Sequence, residues 1–272
     1  MSAKILDGQE LAKKLLEDLS KEISAIKQKP TLATVRVGEN KDARLYANTI
    51  ENLFKKLGLG YVARVFPEKA TASEIVTEIK RLNKDPKISG MMVFSPLPSH
   101  LNSTVILDQI DLLKEVEGRR LLQQEMASPT ALACLALIEH VCPNLEGKEA
   151  VVIGRSDIVG KPAAWLLIGH QATVTICNSK TKNLSERVSQ ADILVATAGR
   201  PNLVKGNWIK QGAVVIDVGE NIVNGKLVGD VEFETAKEVA GYLTPVPGGV
   251  GPVTNVMLVK NLLSLHRLKE KL

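Results

Sequence analysis

The residues best suited to chemistry lie between Ala150 and Ile168. Ala150–Ile153 is a short apolar, β-branched run. Gly154, the polar turn Arg155-Ser156-Asp157, Ile158, Gly160 and the helical pattern Pro162–Ile168 follow it. Strand, glycine turn and helix start make the layout of a nucleotide phosphate site. Glycine lets the backbone approach a pyrophosphate, and a helix N-terminus offers free N–H groups at a positive dipole end. Gly154 and Gly160 stand six residues apart, which is not the G-x-G-x-x-G spacing. By itself the turn therefore also fits an ordinary α/β connection. A second polar turn, Asn178-Ser179-Lys180-Thr181, follows the run Ala172–Cys177. Sites that prefer NAD place an acid at such a strand end to hold the ribose hydroxyls. No acid stands here, and Arg155, Ser179 and Lys180 suit a ribose phosphate instead. That points to NADP, with NAD as the alternative cofactor. Lys180 also fits a plain solvated loop cation. Thr197-Ala198-Gly199 follows a third apolar run and borders the nicotinamide side of such a site.

Other chemistries find less support. His100, His140, His170 and His266 form no close pair, so neither a metal site nor a catalytic triad emerges. Cys134, Cys142 and Cys177 are too few and too scattered for a disulfide framework or a zinc site, which fits a reducing compartment. Aromatic residues make up 3%, too few for stacking on single-stranded nucleic acid. The net charge of +5 would help attract phosphates or carboxylates but does not mark a nucleic-acid binder. No apolar run reaches membrane-spanning length, and the N-terminus does not resemble a signal peptide. The expectation is a cytoplasmic protein with small-molecule ligands and no nucleic-acid or membrane partner.

The surrounding pattern alternates strand and helix, as in parallel sheets covered by helices. Helical periodicity over Gly8–Lys27 gives way at Pro30 to the strand Thr31–Val37. The helix Ala43–Leu57, the strand Tyr61–Phe66, a helix capped by Thr71 or Ser73 and running to Leu82, and the strand Ser89–Phe94 come next. Leu101–Gly118 reads as helical and then a turn, and Thr130–Val141 as an apolar helix. A second α/β series opens at Ala150–Ile153. It continues through helix Pro162–Ile168, strand Ala172–Cys177, helix Leu184–Gln190, and strands Ile193–Ala196, Ala213–Val218 and Gly241–Thr244. Helix Val253–Leu265 and a polar tail, residues 269–272, close the chain.

Several motifs together resemble one family. Gly154-Arg155-Ser156-Asp157-Ile158-Val159-Gly160-Lys161-Pro162 is similar to the cofactor loop of the methylenetetrahydrofolate dehydrogenase/cyclohydrolase family. So are Val215–Gly219 and Gly229-Asp230-Val231. The strongest likeness is Thr244-Pro245-Val246-Pro247-Gly248-Gly249-Val250-Gly251-Pro252, with Thr254 beyond it; Ile5–Gly8 and Pro96-Leu97-Pro98 also fit. The resemblance spans the chain in order. It implies an α/β fold of two lobes with the reaction in a cleft between them. Residues 1–125 would form the N-terminal catalytic lobe, with a helix over 253–272 folding back onto it. Residues 126–252 would form the Rossmann-type dinucleotide-binding lobe. It further implies a folate substrate, a homodimer and no metal in the chemistry. Gly154, Arg155, Ser156, Ile158, Ser179, Lys180, Thr197 and Gly199 would hold the nucleotide. Tyr46, Phe94, Pro96, Glu117, Pro247, Gly248 and Gly249 would line the substrate side, with Tyr46 and Glu117 in the catalytic positions.

The departures from that family matter for activity. The lysine of its Tyr-x-x-x-Lys pair falls on Ile50, and the glutamine before its Pro-Leu-Pro turn falls on Phe94. Its Asp-Val-Asp-Gly becomes Glu115-Val116-Glu117-Gly118, its Pro-Cys-Thr-Pro is reduced to Ser128-Pro129-Thr130-Ala131, and a serine becomes Ala43. Hydride transfer is mainly a matter of positioning two flat rings. Cyclohydrolase chemistry needs protons to move, and neither Ile50 nor Phe94 carries one. The expectation is a dehydrogenase that has lost its cyclohydrolase half. The alternatives are a catalytically silent nucleotide-binding or regulatory relative, or a dehydrogenase for another one-carbon carrier.

Overall fold

A computed structural model describes residues 2–119 and 126–270. In chain order the elements are β1 (Lys4–Ile5), α1 (Gly8–Ala25), β2 (Thr31–Val37), α2 (Lys41–Lys56), β3 (Gly60–Phe66), α3 (Ala72–Lys84), β4 (Gly90–Val93), α4 (Ser103–Leu107), α5 (Pro129–Val141), β5 (Glu149–Ile153) and α6 (Gly160–Gly169). They continue with β6 (Thr173–Cys177), α7 (Leu184–Val188), β7 (Ile193–Ala196), β8 (Val214–Asp217), β9 (Asn221–Val223), β10 (Lys226–Val228), α8 (Phe233–Lys237), β11 (Tyr242–Leu243) and α9 (Val250–Glu270).

The chain divides into two compact units, residues 1–16 with 122–257 and residues 17–121 with 258–272. The first sixteen residues thus group with the later α/β series, because β1 pairs with β11. The expected boundary at 125/126 falls at a segment outside the described residues, as does the end of the tail 269–272.

The unit of residues 17–121 and 258–272 holds a three-stranded parallel sheet in the order β3-β2-β4. Local sequence explains its helices. Asn40 caps α2 by accepting from the Ala43 N–H at 2.9 Å. Thr71, not Ser73, caps α3, in a reciprocal box with Glu74. The α3 residues Ile75, Ile79 and Leu82 recur at helical spacing and are fully buried against Val35, Met91 and Val93 in one core. Leu101–Gly118 differs from the expected helix. Only the five residues of α4 are α-helical, followed by a short 3₁₀ turn over Leu112–Lys114. The side chains of Asn102 and Asp111 each cap a fresh turn, at the Val105 and Leu113 N–H groups, and so divide the segment.

The other unit holds a six-stranded sheet in the order β1-β11-β8-β7-β5-β6, with every pairing parallel. Omitting β1, this is a doubly wound order whose direction of travel reverses between β5 and β7. Loops at the carboxyl ends of those two strands therefore diverge and leave a crevice. The inner strands β5, β7 and β8 are almost wholly buried, as a sheet covered on both faces requires, while the edge strands β1 and β6 are partly exposed. A small antiparallel hairpin, β9–β10, was not expected. Its turn is Asn224-Gly225, both at positive φ, the pair that a two-residue hairpin favours.

Candidate active site

The phosphate-type turn sits at the reversal point of the six-stranded sheet. Gly154 leaves β5 with φ +124, and a Cβ there would lie 2.2 Å from the Thr197 carbonyl oxygen beyond β7. A Cβ at Gly160 would meet the Gly154 carbonyl oxygen at 2.3 Å. The two glycines are thus required by close backbone crossings, and the six-residue spacing sets the size of the turn. Ser156 shapes that turn. Its Oγ accepts from the Val159 and Gly160 N–H groups at 3.1 and 3.3 Å, where α6 begins. Arg155, Ser156 and Ile158 are exposed on it.

The neighbouring loops carry the other residues expected on the nucleotide side. Beyond β6, Asn178 accepts from the Lys180 N–H at 2.9 Å while the Thr181 hydroxyl accepts from the Asn178 N–H. Ser179 and Lys180 are exposed on this turn. Beyond β7, Thr197 is half-buried and Gly199 exposed. The Asp230 carboxylate accepts from the backbone N–H groups of Ala198, Gly199 and Arg200 and from the Asn221 amide. Asp217 acts in the same way a layer deeper, accepting from the N–H groups of Gly219, Asp230 and Val231 at 2.9 Å. Burial outweighs those bonds and, with help from the Asp230 charge, pushes its carboxyl up to about 6. Both aspartates are loop anchors rather than ligand groups. Their signal in the sequence is the glycines beside them: a Cβ at Gly229 would strike Asp217, and one at Gly219 would strike Asp230.

The Pro-Gly-Gly motif proves to be a packing joint within the same unit. The Gly8 N–H donates to the Gly248 carbonyl at 3.0 Å, and a Cβ at Gly8 would overlap the Gly249 carbonyl oxygen. Two separate motifs, Leu6-Asp7-Gly8 and Pro247-Gly248-Gly249, are therefore one contact. Pro247 is exposed after a cis Val246–Pro247 bond, Gly248 stands at φ +106 and Gly249 is buried.

In the other unit, Tyr46 is half-buried on α2 and meets Phe94 edge to face, with ring centroids 5.7 Å apart at 84°. Phe94 is 3% exposed, and its N–H donates to the Val35 carbonyl, extending the β4 pairing by a residue. Ile50, one helical turn past Tyr46, is fully buried. Pro96 is exposed after a cis Ser95–Pro96 bond. Glu117 follows a bridge between Glu115 and Met91 that runs parallel to β4. It is half-buried, and burial reinforced by the Glu115 charge pushes its carboxyl up to about 7 against the opposing pull of Arg119.

Sequence reasoning singled out neither Lys114 nor Glu115 for a role. Lys114 is buried, and its Nζ donates to the carbonyls of Leu82, Asn83 and Asp85 at the end of α3. A cavity of about 230 Å³, whose lining includes Cys142, Lys148, Asp192, Lys210 and Tyr242, lies at the amino ends of β7 and β8. It contains none of the expected site residues. No helix among the described residues is long and apolar enough to cross a membrane.

Two family descriptions match the chain. Residues 6–117 match "Tetrahydrofolate dehydrogenase/cyclohydrolase, catalytic domain", and residues 128–270 match "Tetrahydrofolate dehydrogenase/cyclohydrolase, NAD(P)-binding domain". The Bifunctional protein FolD of Thermodesulfovibrio yellowstonii is 42% identical, covering 100% of this chain and 99% of its own length. The Trypanosoma brucei methylenetetrahydrofolate dehydrogenase-cyclohydrolase, solved with NADP and an inhibitor, superposes with a TM-score of 0.94 at 34% identity over 100% of both chains. A 5,10-methylenetetrahydrofolate dehydrogenase from the silkworm Bombyx mori gives a TM-score of 0.91 at 32% identity, covering 99% of this chain and 100% of that one.

Proposed function

The chain belongs to the tetrahydrofolate dehydrogenase/cyclohydrolase family, and we propose that it is an NADP-dependent methylenetetrahydrofolate dehydrogenase without cyclohydrolase activity. The observation that carries the second half is the burial of Ile50 and Phe94, which are 0% and 3% exposed. Matched to the family's lysine and glutamine, they offer hydrocarbon in place of the proton carrier that water attack on a methenyl carbon needs. Hydride transfer makes no such demand.

The nucleotide-side residues fit a dinucleotide carrying a ribose phosphate. Gly154 and Gly160 allow a backbone that no larger residue would permit, and Ser156 shapes the turn at the start of α6. Arg155, Ser179 and Lys180 stand exposed on turns after the adjacent strands β5 and β6, and the turn after β6 has no acid to favour NAD. Asp230 holds the backbone of 198–200 in place, so that Thr197 and Gly199 border the nicotinamide. Once bound, the nucleotide supplies the hydride acceptor. On the substrate side the half-buried Tyr46 packs on a flat ring of the folate, its own ring held by Phe94. Glu117, titrating near neutrality, meets the polar edge of the pterin as acceptor or donor. Ile50 and Phe94, closed into the core, supply no proton carrier.

The reading extends to partners and place. Ile176 on the edge strand β6, with Trp165 and Ile168 on α6, leaves large apolar groups about half exposed, which suits the contact face of a homodimer. Cys134, Cys142 and Cys177 are free thiols, in keeping with the reducing cytoplasm.

Purified protein supplied with methylenetetrahydrofolate is expected to reduce NADP, and NAD less well, while methenyltetrahydrofolate hydrolyses at its uncatalysed rate. Failure to reduce either nucleotide would leave a silent relative or a dehydrogenase for another one-carbon carrier. Enzymatic hydrolysis of the methenyl compound would restore the bifunctional reading.

A further inference from the structure

The segment that carries Glu117 is held far more firmly than a surface turn needs. Its backbone is fixed from three sides. The Val116 N–H donates to the Met91 carbonyl of β4 at 3.3 Å, and the Val116 carbonyl accepts from the buried Asn261 amide of α9 at 2.8 Å. The third hold comes from within. Glu115 is 2% exposed, and its two carboxylate oxygens accept separately, Oε1 from the Glu117 N–H at 2.8 Å and Oε2 from the Arg119 N–H at 2.7 Å. Between those donors lies Gly118 at φ +63, so the chain reverses over the Glu115 carboxylate.

We propose that Glu115 is a positioning residue for Glu117: its carboxylate clamps the backbone on both sides of Glu117 and so fixes where the Glu117 carboxyl is presented to substrate. A buried carboxylate is a costly clamp. An uncharged side chain would close the same turn with less desolvation, but it would present one acceptor instead of two. The charge also acts on Glu117. Among the described residues, the charges that act on the Glu117 carboxyl are Glu115, which favours its proton, and Arg119, which opposes it. The groups that β4 and α9 bring to the segment, the Met91 carbonyl and the Asn261 amide, carry no charge. Glu115 thus fixes the place of its neighbour and adds to the burial that raises its proton affinity. The idea rests on the dehydrogenase reading only for the identity of the substrate.

The test uses the full chain, with glutamate labelled with ¹³C at the side-chain carboxyl and the Glu117 resonance identified by its loss in Glu117→Gln. In Glu115→Gln the amide end faces an N–H with another donor. The Glu117 titration should move to lower pH, and KM for methylenetetrahydrofolate should rise about tenfold, as for one lost charge-assisted hydrogen bond. The kcat should stay within about threefold. Arg119→Met leaves both clamping bonds and should move the titration the other way. A folded Glu115→Gln protein with unchanged titration and unchanged KM overturns the proposal. If that variant does not fold, the native protein decides. Slow hydrogen exchange at the Glu117 and Arg119 amides supports the clamp, and free exchange at both overturns it. Should the protein lack dehydrogenase activity, the functional reading fails by itself, and the titration and exchange still judge the clamp.

Discussion

At the scale of single residues, burial decides what Ile50, Phe94 and Glu117 can each do. Ile50 and Phe94 are closed into the core, whereas Glu117 keeps an ionisable group where ionisation is costly. Its carboxyl stands at about 7 against an ordinary 4.5, so between those values the folded chain holds a proton that the unfolded chain has released. Folding therefore binds protons in that window, and stability falls as pH rises through it, the loss being complete above about 7. Glu117→Gln cannot ionise. Its stability relative to the parent should rise between pH 4.5 and 7 and then level off, by an amount on the order of 1–3 kcal/mol. Urea unfolding at several pH values reads this directly, and a difference that does not change with pH would refute it. The departure itself was legible, because Glu117 stands in a recognisable motif. Its protonation was not, because desolvation depends on what the fold lays over it.

At the scale of elements, legibility followed how local the determinants are. The α3 start was readable because Thr71 and Glu74 satisfy each other across one turn. Its end fell two residues past the expected Leu82, at Lys84, and one of its holds was not readable, because Lys114, about thirty residues on, also donates to the carbonyls of Leu82, Asn83 and Asp85. The same lysine shows why Leu101–Gly118 misled: its apolar residues serve a short helix and a turn that side chains of Asn83, Asn102 and Asp111 break apart. Burial lowers the Lys114 ammonium below the usual lysine range, with the Lys269 charge adding to the effect. Lys114→Met should take a donor from three helix-end carbonyls, of which Leu82 and Asp85 keep the N–H groups of Asp85 and Ile88 while Asn83 loses its donor, and should cost about 1–3 kcal/mol. Lys84→Met, on the exposed side of the same helix end, should cost less than about 0.5 kcal/mol. Equal losses in thermal unfolding would show that the carbonyl cap is not what Lys114 provides. The hairpin β9–β10 was missed for a different reason: Asn224-Gly225 is a strong local signal that lay between more conspicuous motifs.

At the scale of the whole molecule, both α/β series were readable from periodicity, but strand order was not. The two residues of β1 carry no strand pattern of their own and become a strand only by pairing with β11, over two hundred residues away. Strand order also fixes which strands are left at the edges, the two-residue β1 and the longer β6, both partly exposed. A parallel edge offers unpaired backbone groups, and natural proteins shield such edges with charge, proline or a partner. Thr173–Cys177 has neither charge nor proline. Ile176 is 43% exposed on it, and Trp165 on the adjacent α6 is 50% exposed. A second copy covering this side would shelter both the edge and these side chains. Sedimentation should then give the parent protein a mass of twice the 29.5 kDa chain. Trp165→Glu combined with Ile176→Lys should give the single-chain mass while keeping the fold, because neither side chain belongs to the buried core. A parent that sediments as a single chain would remove the dimer. A double variant that still pairs would keep the dimer and move its surface away from β6.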